Sequence, residues 1–334
     1  MDTNPRSLVG LLGLEKEWVL ELFAQADRLR AARGTPKAPK PLAGKTAALV
    51  FHKPSLRTRV SFTVGMHELG GDAVDLTAVE VSEHGRESVP DVAHVLSGMC
   101  DLIVARTFSH TLVQGLAKHA SIPVVNALTD HSHPCQILAD LYTLWRQGRD
   151  LDDMTVTWVG DGNNVLHSWL EAATIFGFAL RVAVPDGFEP DAGLFLEAER
   201  RTEGRVRRVR DPQEAVRDTD VVYTDTWTSM GQEAEAQWRR IAFAGFTVDE
   251  RLMSLAKSDA SFMHCLPAHR GEEVTDEVID GPQSVVLEEA ENRLHLQKSL
   301  MVTLSAATPP RVNEPPAAKR RRMKVSPQMA GVTA

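Results

Sequence analysis

Short apolar runs alternate with helix-length amphipathic stretches along most of this chain, and that alternation leaves few possible architectures. Residues 46–51, 73–76, 102–106 and 123–128 read as strands, with helical patterns between them. Strand–helix–strand order of this kind gives a parallel sheet covered by helices. A second series follows Gly148, with strands expected over 155–159, 180–184, 206–209, 221–224 and 262–265 and a helix over 166–176. Helical patterns over 15–33, 133–147 and 287–304 flank or join the two series. No repeat of fixed period is present. The expected fold class is α/β, with two doubly wound parallel-sheet domains joined by helices. The 334 residues suffice for two domains of about 150 each. Boundaries fall at 1–148 and 149–286.

Composition removes several function classes. Three cysteines (Cys100, Cys135, Cys265) make no disulfide framework and fit a reducing compartment. No apolar run nears the roughly 20 residues of a membrane helix. The start of the chain carries no signal-peptide pattern. A cytoplasmic, non-membrane protein is expected. The net charge of −8 is a sum over unlike parts. Residues 306–334 hold six basic side chains and one acid, whereas the other 305 residues hold 31 basic and 44 acidic. An acidic body disfavours a nucleic-acid partner. The tail, with five prolines between Thr308 and Pro327 and the run Lys319–Arg322, is expected to be disordered.

The densest chemistry lies in Lys53-Pro-Ser55-Leu56-Arg57-Thr58-Arg59. A strand ends at Phe51, and a helix is expected from about Val60 to Leu69. Ser55 to Thr58 then occupy a strand-to-helix turn, where free N–H groups and the helix dipole favour an anion. Hydroxyls and a guanidinium fork add donors. A solvated N-cap accounts for Ser-x-Arg-Thr alone, but five cationic or hydroxyl residues crowd this turn. No G-x-x-x-x-G-K-[ST] motif is present, so a nucleoside triphosphatase is not indicated. Arg106 ends a strand and His133-Pro134-Cys135-Gln136 opens a helix. Both fall at carboxyl ends of strands, where ligands collect in open α/β sheets.

In the second half, Gly160-Asp-Gly162-Asn163-Asn164-Val165 follows a strand. It resembles a dinucleotide fingerprint, but Val165 replaces the third glycine. An NAD-dependent dehydrogenase is therefore a competing reading. Asp225-Thr-Trp-Thr-Ser229-Met230-Gly231 and His264-Cys265-Leu266-Pro267 end later strands. No C-x-x-C or H-x₃₋₅-H spacing supports a metal site.

Taken together, K-P-S-L-R-T-R, H-P-C-Q-I-L-A-D-L, G-D-G-N-N-V, D-T-W-T-S-M-G, H-C-L-P and E-N-R-L-H-L-Q-K resemble the ornithine carbamoyltransferases, from about Ser7 to Ser305. The resemblance implies a carbamoyl phosphate domain over 1–148, completed by a C-terminal helix (287–305) that returns to it, and an ornithine domain over 149–286. It implies carbamoyl transfer from carbamoyl phosphate to the δ-amine of L-ornithine, in arginine metabolism. No metal or organic cofactor is implied, and the assembly is a trimer or a multiple of trimers. Ser55, Leu56, Arg57, Thr58, Arg106, His133, Pro134, Cys135, Gln136, Cys265, Leu266 and Arg293 are implied for carbamoyl phosphate. Asn164, Asp225, Ser229 and Met230 are implied for ornithine. Arg57, Arg106, His133 and Cys265 form the implied catalytic set. A carbamoyltransferase for another amine, such as putrescine, shares most of these motifs. The chain departs from many relatives at Leu56, where they carry Thr, and near Ser82, where they carry Gln. Deleting residues 307–334 is expected to leave carbamoyl transfer intact; a large loss of turnover would give the tail a role this reading lacks.

Overall fold

The computed structural model describes residues 6–78, 81–82, 85–229 and 231–307. Most of the basic tail, and the expectation of its disorder, lies outside them. The first half runs α1 (Lys16–Ala32), β1 (Thr46–Phe51), α2 (Leu56–Glu68), β2 (Asp72–Thr77), α3 (Val89–Met99), β3 (Leu102–Arg106), α4 (His110–His119), β4 (Val124–Leu128) and α5 (Pro134–Arg146). The second runs β5 (Thr155–Val159), α6 (Asn164–Phe176), β6 (Ala179–Ala183), α7 (Ala192–Arg201), β7 (Val206–Arg208), α8 (Pro212–Val216) and β8 (Val221–Tyr223). It continues through α9 (Ala236–Ala242), α10 (Glu250–Met253), β9 (Ser261–Met263) and α11 (Asp276–Ile279) to α12 (Val286–Ala306).

Both sheets are parallel throughout, with orders β2-β1-β3-β4 and β7-β6-β5-β8-β9. Each order reverses direction once, between β1 and β3 and between β5 and β8. Loops leave such a reversal on opposite sides and open a crevice at the strands' carboxyl ends. The expected strands are all present, with ends moved by one or two residues, within the ordinary fraying of boundaries. Central strands such as β1 are buried on both faces, which accounts for their continuous apolar runs.

Two helices tie the halves together. Every residue of α5 from Pro134 to Leu144 is buried. The last helix, α12, packs on α1, α2 and α5. It continues through Ala306, so the tail begins after the expected 306. One apolar core runs through α1, α5, α6 and α12 and the inner sheet faces, from Phe23 and Phe62 to Trp158 and Trp169. Burying each such side chain stabilises by about 1.5–3 kcal/mol. Gly65 permits a close approach of α2 to α12: a Cβ there would lie 2.9 Å from the terminal methyl of Met301. That approach brings the start of α2 beside Arg293.

The α2 boundary differs from expectation. The helix starts at Leu56, not near Val60. Ser55 is extended (φ −161°, ψ 111°), and its Oγ accepts the Thr58 N–H at 3.3 Å, capping the helix. Arg57 and Thr58 therefore belong to the first helical turn. The charged sequence Leu56–Arg59 has little apolar period, so periodicity missed it.

The segment before α1 is held by Glu171 on α6. Its Oε2 accepts the Leu11 N–H at 2.8 Å in a buried setting. Burial pushes this carboxyl up to about 7, opposed by the Leu11 hydrogen bond. A raised carboxyl pKa favours folding below the unfolded value and loses that contribution as pH rises through the folded value. Glu171→Gln is expected to gain on the parent by about 2 kcal/mol between pH 5 and pH 7 and to hold that gain above. Chemical denaturation at stepped pH checks this, and a pH-independent difference would contradict it.

Candidate active site

A cleft of about 1170 Å³ spans both crevices and is walled by loops from both sheets. Its first wall holds Lys53 to Arg57 after β1, Arg106 and Phe108 after β3, and His133 before α5. Its second wall holds Asp161 to Val165 after β5, Asp225 to Ser229 after β8, and Cys265 to Pro267 after β9. Arg293 enters from α12.

The first wall is cationic. The opening turn of α2 contains no acid. With the Thr58 N–H held by Ser55, the N–H groups of Leu56 and Arg57 head the helix toward the cleft. Arg57 Nη2 donates to the Leu266 carbonyl. Arg293 donates through Nη2 to Thr58 Oγ1 and through Nη1 to Gln136 Oε1, both at 2.7 Å. Among the described residues, the buried Nε atoms of Arg57, Arg106 and Arg293 have no hydrogen-bond partner. Burial, followed by repulsion from Arg293, pushes Arg106 down to about 10, so it stays a cation at neutral pH. Buried donors with no acceptor are costly unless a ligand meets them. The guanidinium side chains that carry them line the cleft together.

His133 is 3% exposed. Its N–H donates to Ser168 Oγ at 2.8 Å, and its Nδ1 is unpartnered. Burial, then Arg293, Arg106, Arg57 and Lys53, hold its pKa well below the usual value. The imidazole is therefore neutral near pH 7 and offers a hydrogen bond, not a labile proton.

The second wall is organised by Asp225. Its Oδ2 accepts from Asn163 Nδ2 at 2.7 Å, and its Oδ1 accepts from Cys265 Sγ at 3.0 Å. Asn163 Oδ1 caps α6, accepting from the Val165 and Leu166 N–H groups. Asn164 Nδ2 donates to the Thr129 carbonyl at 2.6 Å, bridging the two halves. Gly162 packs against the 188–190 loop, where an added Cβ would meet Phe188 O at 2.3 Å. That loop fills the space a dinucleotide pyrophosphate needs at the second glycine.

Of the residues named from sequence, Ser55, Leu56, Arg57, Arg106, His133, Asn164, Asp225, Ser229, Cys265, Leu266 and Arg293 line the cleft. Thr58, Pro134, Cys135 and Gln136 are buried behind it. Met230 lies outside the described residues. Leu266 has φ 57°, and its N–H donates to His264 Nδ1 at 2.8 Å, turning its carbonyl toward Arg57. Cys265 was named as catalytic. Burial and the Asp225 charge push its thiol well up, so it donates to Asp225 as a neutral group. The donor atoms of Asp225, His264 and Cys265 lie within 4.8 Å of one another, but each is already engaged within the protein.

Three site groups were not assigned from sequence. Lys53, 5% exposed, pairs with Asp130 and lies 4.3 Å from the Phe108 ring centre. Asn163 carries the contact to Asp225. Arg239 on α9 pairs with buried Asp161 at 3.1 Å and donates to the Trp227 carbonyl at 2.8 Å, anchoring the 226–235 segment. Lys53 had a signal in its place beside the loop motif. The partners of the other two are remote in sequence.

Fold and site together define an α/β enzyme whose two parallel sheets face one cleft, cationic on one side and amide–carboxylate on the other. Residues 6–146 match the family model for the aspartate/ornithine carbamoyltransferase carbamoyl-P binding domain, and residues 152–304 match the Asp/Orn binding domain. The ornithine carbamoyltransferase of Chlorobaculum tepidum is 48% identical over 305 residues, 90% of each chain. That of Pyrococcus horikoshii is 48% identical over 302 residues, 90% of this chain and 95% of the other. Among solved structures, the Pyrococcus furiosus ornithine carbamoyltransferase superposes with a TM-score of 0.86 at 46% identity, covering 90% of this chain and 97% of that one. The Thermus thermophilus one gives 0.81 at 43%, covering 90% and 99%. The chain belongs to the aspartate/ornithine carbamoyltransferase family, and within it to the ornithine carbamoyltransferases.

The protonated thiol has a consequence. Alkylation of Cys265 by iodoacetamide is expected to stay slow at pH 8, and Asp225→Asn is expected to speed it. Peptide mapping by mass spectrometry reads both rates; rapid alkylation of the parent at pH 8 would contradict the assignment.

Proposed function

We propose that this cleft transfers the carbamoyl group of carbamoyl phosphate to the δ-amine of L-ornithine, giving L-citrulline and phosphate. The observation that carries the proposal is the gathering of three guanidinium side chains, Arg57, Arg106 and Arg293, on one wall of the cleft beside the start of α2. The first half is the carbamoyl phosphate domain, with α12 returning to it, and the second half is the ornithine domain. The phosphate takes the N–H groups of Leu56 and Arg57, the Ser55 hydroxyl and the Arg57 guanidinium. Arg106 and neutral His133 address the carbamoyl oxygen. Thr58 and Gln136 act from behind by fixing Arg293. Across the cleft, Asp225 meets the α-ammonium of ornithine, with Asn164, Ser229 and Met230 addressing the amino-acid end.

In the reaction the neutral δ-amine gives its lone pair to the carbonyl carbon. The carbonyl electrons move to oxygen, and Arg106 and His133 stabilise the oxyanion. Collapse breaks the C–O bond to phosphate, whose charge Arg57 and the helix terminus receive. The nitrogen's proton passes to the departing phosphate, which leaves as hydrogen phosphate, and neutral citrulline remains. Each preorganised donor of this kind contributes about 3 kcal/mol. Holding two reactants in one cleft supplies much of the rest. Because the amine must be neutral, turnover rises with pH.

Self-association as a trimer or a multiple of trimers is part of the proposal. β2 is an edge strand, and Val74 on it and Leu56 and Val60 on α2 are exposed apolar residues. An uncovered edge beside apolar side chains is a surface that proteins normally cover. A cytoplasmic role in arginine synthesis accords with the expected reducing compartment and with this product.

Arg57→Gly is expected to lower citrulline formation by about 10²–10³-fold with an unchanged melting temperature and assembly. Near-parental turnover would remove the phosphate assignment. In an acceptor panel, ornithine is expected to exceed putrescine by at least about tenfold, because putrescine has no group for the amino-acid contacts. Equal use of the two would return the assignment to an amine carbamoyltransferase.

A further inference from the structure

Behind the arginine cluster, two buried carboxyl groups meet that the chemical steps above do not use. Asp140 follows Gln136 by one turn on α5, and Glu289 precedes Arg293 by one turn on α12. Both are at most 1% exposed. Gln136 Nε2 donates to Asp140 Oδ1 and to Glu289 Oε1, each at 2.8 Å. The Tyr223 hydroxyl lies 3.0 Å from Asp140 Oδ2 and 3.4 Å from Glu289 Oε1. The His264 N–H donates to Glu289 Oε2 at 3.2 Å. Both amide hydrogens of Gln136 are thereby committed, and its Oε1 is left facing Arg293 Nη1 at 2.7 Å.

We propose that Asp140 and Glu289 form one positioning unit: the two carboxyls fix the carboxamide of Gln136, and Gln136 fixes the Arg293 guanidinium beside Thr58. A flipped carboxamide would set N–H against N–H and release Arg293 from that side. The proposal rests on the reading of the cleft as a carbamoyl phosphate site. It assigns to the two acids, to Tyr223 and to Gln136 a task that no substrate contact requires.

The chemistry of the pair supports this. Two carboxylates sharing donors in a buried place do not both ionise near neutral pH. Burial pushes Asp140 up to about 7, opposed by hydrogen bonds from Gln136, Glu289 and Tyr223 and by the Arg293 charge. Burial, then the Asp140 charge, holds Glu289 well above the usual carboxylate range. The other ionisable groups acting on the pair are the Tyr223 hydroxyl and the Cys265 thiol, both held protonated. Above about pH 7 the pair carries one proton and one negative charge. Below it Asp140 is protonated as well, the pair holds two protons, and its capacity to accept from Gln136 falls.

The test uses the full chain and its isosteric variants D140N and E289Q. Citrulline formation is followed from pH 5.5 to 8.5, with kcat and the KM for carbamoyl phosphate measured separately and melting temperature checking the fold. E289Q sets an amide nitrogen against the Gln136 amide or the His264 N–H, because both Glu289 oxygens accept there. It is expected to raise the KM for carbamoyl phosphate about fivefold at pH 8. D140N leaves one acceptor oxygen where the carboxylate offers two, and sets an amide nitrogen toward Gln136 or the Tyr223 hydroxyl. It is expected to raise the KM for carbamoyl phosphate about tenfold at pH 8, with kcat changed less than threefold, and to lose the parent's rise in that KM below about pH 7. A folded D140N with the parental KM and pH profile would overturn the proposal. So would a folded E289Q with the parental KM, and that arm decides the matter if D140N does not fold. A parent that makes no citrulline would instead overturn the reading of the cleft.

Discussion

Like charges held together out of water are the constraint on which the rest of the site depends. Arg57, Arg106 and Arg293 converge beside Lys53, and their repulsion is visible in the lowered pKa values of Arg106, Arg293 and His133, where it adds to burial. Such a cluster persists only if the surrounding fold fixes each member. Arg57 is held by the Leu266 carbonyl, Arg293 by Gln136 and Thr58, and Lys53 by Asp130. On the proposed reading, a phosphate dianion bound there would relieve the repulsion, and part of its binding energy would be spent in doing so. The same argument explains why a chain of net charge −8 holds an anion: position matters, not the total.

The two-sheet topology turns this local constraint into a bisubstrate site. Each parallel sheet opens one crevice where its strand order reverses, and α5 and α12 hold the two crevices face to face. Asn164 bonds the Thr129 carbonyl of the opposite half, and Arg57 bonds the Leu266 carbonyl across the same gap. The amine side and the phosphate side are thus positioned by the protein before either ligand arrives, and attack across the cleft becomes a short, directed event.

Much of this was legible in the sequence. Continuous apolar runs located the central strands, because parallel strands buried on both faces have little else to show, whereas the exposed edge strands β2 and β7 were located by their place in the alternation. The loop motif pointed to a cluster of donors at one turn, and Ser55 to Arg57 do line the cleft, whereas Arg59 turns away to pair with Asp75. The start of α2 was not legible, since capping by Ser55 and not an apolar period begins that helix. The remaining gaps share one cause. Asn163 with Asp225, Asp161 with Arg239, and Asp140 with Glu289 are pairs 62, 78 and 149 residues apart. Each member alone reads as an ordinary polar residue, and only the packing of α5, α9 and α12 reveals the pair. The boundary between facing the substrate and standing behind it was equally hidden. Gln136 and Thr58 share motifs with cleft residues but are buried, and each bonds Arg293.

The account stands on the claim that the arginine cluster awaits an anion. Melting temperature measured against inorganic phosphate, at constant ionic strength set by chloride, tests it directly. A ligand that binds only the folded state stabilises by RT ln(1 + [L]/Kd), so the account predicts a melting temperature that climbs with the logarithm of phosphate concentration, and a climb that is largely lost in Arg57→Gly. A melting temperature indifferent to phosphate, or an equal rise in the variant, would contradict it.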